Sequence, residues 1–155
     1  MKNYLIGIVL LLLSCNGQKK VGVKNADNQL SSDAPLVLLL QDEYGSFDVE
    51  ETMIIRDMKR LKSFYSKINK TRKPGLPVPD INFSTEIVIV QCSGEQNHSG
   101  IPILSFNKET STQVLLDYKI NKVPGDVTTA VVRNPFCVYK MPLTQKEILV
   151  EKGIK

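Results

Sequence analysis

The chain has 155 residues, of which 42% are hydrophobic and 23% charged. That balance sets it apart from disordered and bilayer-filling chains and leaves room for one domain. A net charge of +4 is too small to argue for nucleic acid, so no nucleic-acid partner is expected.

Met1-Lys2-Asn3-Tyr4 is a short positive start, and Leu5 to Leu13 is an unbroken apolar run relieved only by Gly7. A bilayer span needs about 20 apolar residues, so this run reads as the h-region of a secretory signal. Its end, Leu12-Leu13-Ser14-Cys15, resembles a bacterial lipobox. The resemblance implies cleavage before Cys15 and acylation of its sulfur and amine, palmitate being one such chain. Residues 1–14 are then a lipoprotein signal peptide. Two or more acyl chains hold a protein stably on a membrane, where one is marginal. The expected location is a bacterial cell envelope, with the protein lipid-anchored. Asn16 in place of an aspartate retention signal leans toward the outer membrane.

Residues 15–34 are the lipidated cysteine and a polar, aperiodic tether with two lysines, Lys19 and Lys20. Residues 35–155 form the folded domain. Leu36 to Leu40 is a first strand and Thr52 to Arg56 a second, and the two are candidates for a hairpin with a long loop. Asp57 suits an N-cap for a helix from Met58 to about Lys70. Met58, Leu61, Phe64, Tyr65 and Ile68 share one face, and Lys59, Arg60, Lys62, Lys67 and Lys70 the other. A basic face of this kind is either a solvated outer surface or a membrane or acid-binding one. Thr71 to Asp80, with three prolines and a glycine, ends the helix and runs extended.

Phe83 to Phe106 is the centre of the chain. Ile87, Val88, Ile89 and Val90 are β-branched and apolar, as a buried strand needs. Ser93 to Gly100 is polar or small throughout, and apolar residues return at Ile101, Ile103, Leu104 and Phe106. The pattern predicts a hairpin projecting a polar loop, with Gly94 and Gly100 as hinges. Gln113 to Ile120 alternates as a half-buried antiparallel strand, and Asn121 to Asp126 is a turn-rich loop. Thr128 to Met141 reads as a long strand interrupted at Asn134-Pro135, since proline lacks a ladder donor. Glu147 to Glu151 is a last short strand. One amphipathic helix among six or seven short strands predicts a mainly β fold, a mostly antiparallel β-sandwich or open barrel, α+β in the broad sense.

Chemistry is sparse. His98 is the only histidine, and Glu95-x-x-His98 lies in a loop without the second pair and further glutamates that a di-iron site needs. No metal and no cofactor are expected. Cys92 and Cys137 sit in apolar strand-like runs of a chain expected in an oxidising compartment, so they either pair as a disulfide or pack as free buried thiols. Cys92 with His98 as nucleophile and base has no evident third, orienting residue, and no phosphate-binding or hydrolase motif occurs. The chain reads as non-catalytic.

Asp80-Ile81-Asn82-Phe83-Ser84, Gly94-Glu95, Thr129 to Val132 and Pro135 to Pro142 together resemble the C-terminal domain of the protease-complex subunit PrcB family, over roughly Thr52 to Pro142. That resemblance implies a small β-rich envelope domain that accompanies or stabilises a protease without doing chemistry. The family's central loop usually reads Thr-Gly-Gly-Tyr, similar to a loop of chagasin-type cysteine-protease inhibitors. Here His98-Ser99-Gly100-Ile101 stands in its place and keeps only Gly100. The expectation is a lipid-anchored module that contacts a protein partner, a protease by resemblance, through Gly94, Gln96, Asn97, His98, Ser99, Gly100 and Ile101. The alternatives are a peptidase inhibitor using the same loop, or a plain solvated connection.

Overall fold

β-Branched runs make strands here because their stiff side chains suit a pleated surface, and the chain yields seven of them with one helix among the described residues. The computed structural model describes residues 35–121 and 131–153. The leader, Cys15, the tether, Lys122 to Ala130 and the last two residues lie outside them, and with them the expected start of a strand at Thr128. The elements are β1 (Val37–Asp42), β2 (Glu50–Ile55), α1 (Met58–Ile68), β3 (Glu86–Ser93), β4 (Ile101–Glu109), β5 (Gln113–Asn121), β6 (Phe136–Pro142) and β7 (Glu147–Lys152). Sheet 1 has the order β1-β6-β3-β2, antiparallel throughout, and sheet 2 the order β4-β5-β7. Within sheet 2, β4 and β5 run antiparallel and β5 and β7 parallel. The fold is mainly β with two packed sheets and one helix, a sandwich and not a closed barrel.

Side-chain alternation along β3 builds two cores. Val88, Val90 and Cys92 point to one face, where Leu61, Phe64, Tyr65 and Ile68 of α1 and Ile81 of the returning segment cover them. Ile87 and Ile89 point to the other, against Leu104, Val114, Leu116 and Tyr118 of sheet 2. β3 is buried on both faces, which is why it reads as a continuous apolar run. α1 follows its amphipathic pattern: the Asp57 carboxylate accepts from the Arg60 amide at 2.8 Å as N-cap. The helix ends at Ile68, two residues before Lys70, with Asn69 as its C-cap: the Asn69 amide still donates to Tyr65 O at 3.0 Å, and its side chain clasps Leu76. Its Nδ2 donates to the Leu76 carbonyl at 2.8 Å and its Oδ1 accepts from the Leu76 amide at 2.7 Å.

Two expectations are corrected, and one left open is decided. β1 and β2 do not form a hairpin: β1 pairs with β6 and β2 with β3, at opposite edges of sheet 1. Phe83 to Phe106 is not a hairpin either, since β3 belongs to sheet 1 and β4 to sheet 2. The polar stretch between them is a crossover from one layer to the other. β3 is covered on both faces and has a strand partner on each side, β2 and β6, while β4 pairs with β5 in the other layer. Finally, Cys92 and Cys137 are both free and buried. Cys92 lies opposite Phe136 and Cys137 opposite Gln91, so one thiol joins the helix-side core and the other the sheet-sheet core. Opposite faces of one sheet rule out the bridge geometry. Burial pushes each thiol up to about 12.

Candidate functional site

The strand directions sort the connections into two ends. Val37, Lys140, Val88 and Ile55 fall in one row across sheet 1, and Gln41, Cys137 and Gln91 in another near the opposite end. The chain enters at the first end through Pro35. The opposite end gathers three connections: 43–49 after β1, 94–100 after β3, and 131–135 before β6.

Backbone hydrogen bonds tie these three segments to one another. Gln96 and Arg133 exchange amides at 2.8 and 2.9 Å in an antiparallel bridge, and the Glu95 amide donates to Asp48 O at 3.2 Å. The Asn134 amide donates to Glu43 O at 2.9 Å, the Gly45 amide to Asn134 O at 2.8 Å, and the Ser93 amide to Pro135 O at 2.9 Å. Side chains reinforce this: Asn134 Nδ2 donates to Phe47 O at 3.0 Å, and Arg133 pairs with Glu43 at 3.1 Å. Below, Arg72 holds Asp42 at 2.7 Å and also donates to the Tyr44 carbonyl. Connections bonded in this way are held in place, as a recognition surface requires.

Gly94 and Gly100 each stand where the backbone requires a glycine, for two different reasons. Gly94 has φ +71°, and a Cβ there would stand 2.9 Å from Glu50 N and from Val49 C. Gly100 has φ +148°, and its Cβ would meet Ile120 Cγ2 at 2.7 Å. Both glycines are therefore buried positions of close approach, unavailable for contact with a partner. Gln96 is half-buried, and its Oε1 is buried with no donor among the described residues. Asn97 is exposed, and His98, Ser99 and Ile101 are half-buried. Among the described residues the His98 ring reaches its neighbour, with Nδ1 3.3 Å from Ser99 O. Cys92 sits inside the helix-side core and makes no pair with it.

Four further residues at this end were not singled out in the sequence. Tyr44, Val49, Val131 and Val132 are 52%, 69%, 51% and 54% exposed, unusual values for large apolar side chains held in bonded segments. Val131 and Val132 read as part of a long strand, but they precede it and stand in the open. The break at Asn134-Pro135 was the available signal: Pro135 has no N–H, so the ladder of β6 starts only at Phe136.

Comparison with protein-family models, with curated proteins and with solved structures finds no match to this chain. The likeness to the PrcB family therefore rests on the residues quoted above. In this chain the close approach of Ile120 accounts for the glycine at position 100.

Proposed function

We propose that this chain is a lipid-anchored protein of a bacterial envelope and acts as a non-catalytic protein-binding module, an accessory to a protease where the PrcB likeness extends to partners. The observation that carries the reading is the loop end of the sandwich. Three segments cross-bonded through their backbones carry, at one end of sheet 1, four exposed apolar side chains together with the polar residues Asn97 and His98. Apolar anchors ringed by polar groups are the usual make-up of a protein-protein contact. The first described residues, Pro35 and Leu36, lie at the other end of sheet 1.

Two experiments test this. Metabolic labelling with a clickable fatty acid is expected to mark the wild type and not Cys15→Ala; an unlabelled wild type refutes the anchor. Crosslinking in native envelopes, followed by mass spectrometry, is expected to yield a partner set that a Tyr44→Asp, Val132→Asp double variant loses. A partner set unchanged by that variant removes the loop end from the function.

A further inference from the structure

Sheet 1 has a second open feature, along its β2 edge. β2 is its edge strand and carries no strand partner on its outer side among the described residues. The Ser93 amide donates toward Pro135 on the β6 side, so alternation turns Cys92, Val90 and Val88 toward β2. Their partners Glu51, Met53 and Ile55 bond inward, and Glu50, Thr52 and Ile54 direct their amides and carbonyls outward. Beside this row, between β2 and α1, lies a groove of about 430 Å³. Its floor holds Met53, Phe47 and Phe64, its rim Arg60 and Lys67, with Glu51 as its one acid.

We propose that this groove binds an extended, acidic peptide segment of a protein partner, which adds to sheet 1 as a further strand along β2. The main-chain groups of Glu50, Thr52 and Ile54 supply the ladder, and side chains facing α1 supply selectivity. Charge decides the partner's chemistry. α1 carries Lys59, Arg60, Lys62 and Lys67 and no acidic residue. Arg60 is offset only by Asp57 at 3.7 Å, an exposed pair, and Lys67 rests on the Phe47 ring at 3.7 Å to its centroid. Seven residues along a helix span about 10.5 Å, and strand residues on one face repeat every ~6.8 Å. An acid-x-apolar-x-acid segment therefore brackets Arg60 and Lys67 with its carboxylates and lays its apolar side chain over Met53 and Phe64. A second copy of this chain fits worse, because edge-to-edge pairing through β2 brings two basic helices together.

The test uses the full chain in detergent and a fluorescein-labelled, capped peptide of sequence Thr-Glu-Thr-Leu-Thr-Glu-Thr, read by anisotropy at low salt. Saturable binding is expected. Loss of two exposed ion pairs sets the weakening on double charge reversal, Arg60→Glu with Lys67→Glu, at about tenfold and up to about thirtyfold. Lys70→Glu, outside the groove, is expected to leave it unchanged. Peptide N-methylated at the amides facing β2, with every charge retained, is expected to lose binding. Absence of saturation at concentrations on the order of 1 mM overturns the proposal, as does equal binding of the N-methylated peptide or of one with lysines for glutamates. A dimer in sedimentation that Ile54→Lys breaks would give the edge to a second copy. Capture by phosphatidylglycerol vesicles that the double reversal abolishes and the peptide does not compete for would give the basic face to a membrane. Either result also overturns strand addition.

Discussion

Gly94→Ala puts the crossover between the two sheets to a quantitative test. Gly94 holds φ +71°, where an alanine costs about 1–2 kcal/mol. Its new methyl would stand 2.9 Å from Glu50 N and Val49 C and 3.2 Å from Asp48 O. All three are backbone atoms of the neighbouring connection and cannot rotate aside. Moving them strains the Glu95–Asp48 hydrogen bond, which adds about 1 kcal/mol. The expected loss is then about 2–3 kcal/mol. At a urea dependence of about 1.5 kcal/mol per molar, the unfolding midpoint falls by roughly 1.5–2 M with an unchanged slope. Gly94→Asn separates the two causes, since asparagine tolerates positive φ but carries the same Cβ. If the contacts dominate, Asn is nearly as harmful as Ala. A Gly94→Ala midpoint within about 0.3 M of wild type, or full recovery by Asn, refutes the close approach of the 43–49 and 94–100 connections.

Other outcomes follow from single contacts. Tyr118→Phe removes the buried hydrogen bond from its hydroxyl to Ser93 Oγ at 3.0 Å and is expected to lower stability by about 1 kcal/mol in urea unfolding. With their thiols pushed up to about 12, native Cys92 and Cys137 are expected to resist iodoacetamide at pH 8 and to react fully in urea, read by peptide mass. A Cys92–Cys137 peptide found crosslinked in non-reduced protein would overturn the two-faced placement. Lys140 donates to Glu86 at 2.6 Å and holds that carboxyl below its ordinary value. A depressed carboxyl contributes stability that is complete above its unfolded pKa and lost as pH falls through the folded one. Glu86→Gln is therefore expected to flatten the acid side of the unfolding-midpoint profile, below about pH 5, and to change its shape little at neutral pH.

Most of the fold was legible because its elements carry strong local patterns. β3, β5 and α1 came through from β-branching, alternation and the Met58-to-Ile68 stripe, and Asp57 and the prolines after Thr71 marked the helix limits to within two residues. Pairing was not legible. A strand pattern states which face is apolar and says nothing of which strand lies alongside, so neighbours in sequence were joined as hairpins that the sheets divide. The choice between a disulfide and two free thiols stayed open for the same reason: adjacency in register was invisible, and Cys92 and Cys137 differ by one position in alternation. At the candidate site, the glycines stood out by residue type alone. Tyr44, Val49, Val131 and Val132 did not, because exposure of an apolar side chain depends on which distant segments bond together beneath it.

The order of strands also governs how the chain can fold in time. In sheet 1, β6 is the partner of both β1 and β3, so the first strand has nothing to pair with until residues 136–142 are in place. In sheet 2, β5 waits for β7, residues 147–152, to complete its parallel side. No early portion of the domain is a self-sufficient sheet beyond the β2–β3 and β4–β5 pairs, and long-range pairing of this kind is slow. A chain so wired cannot complete either sheet until its last strands have been made.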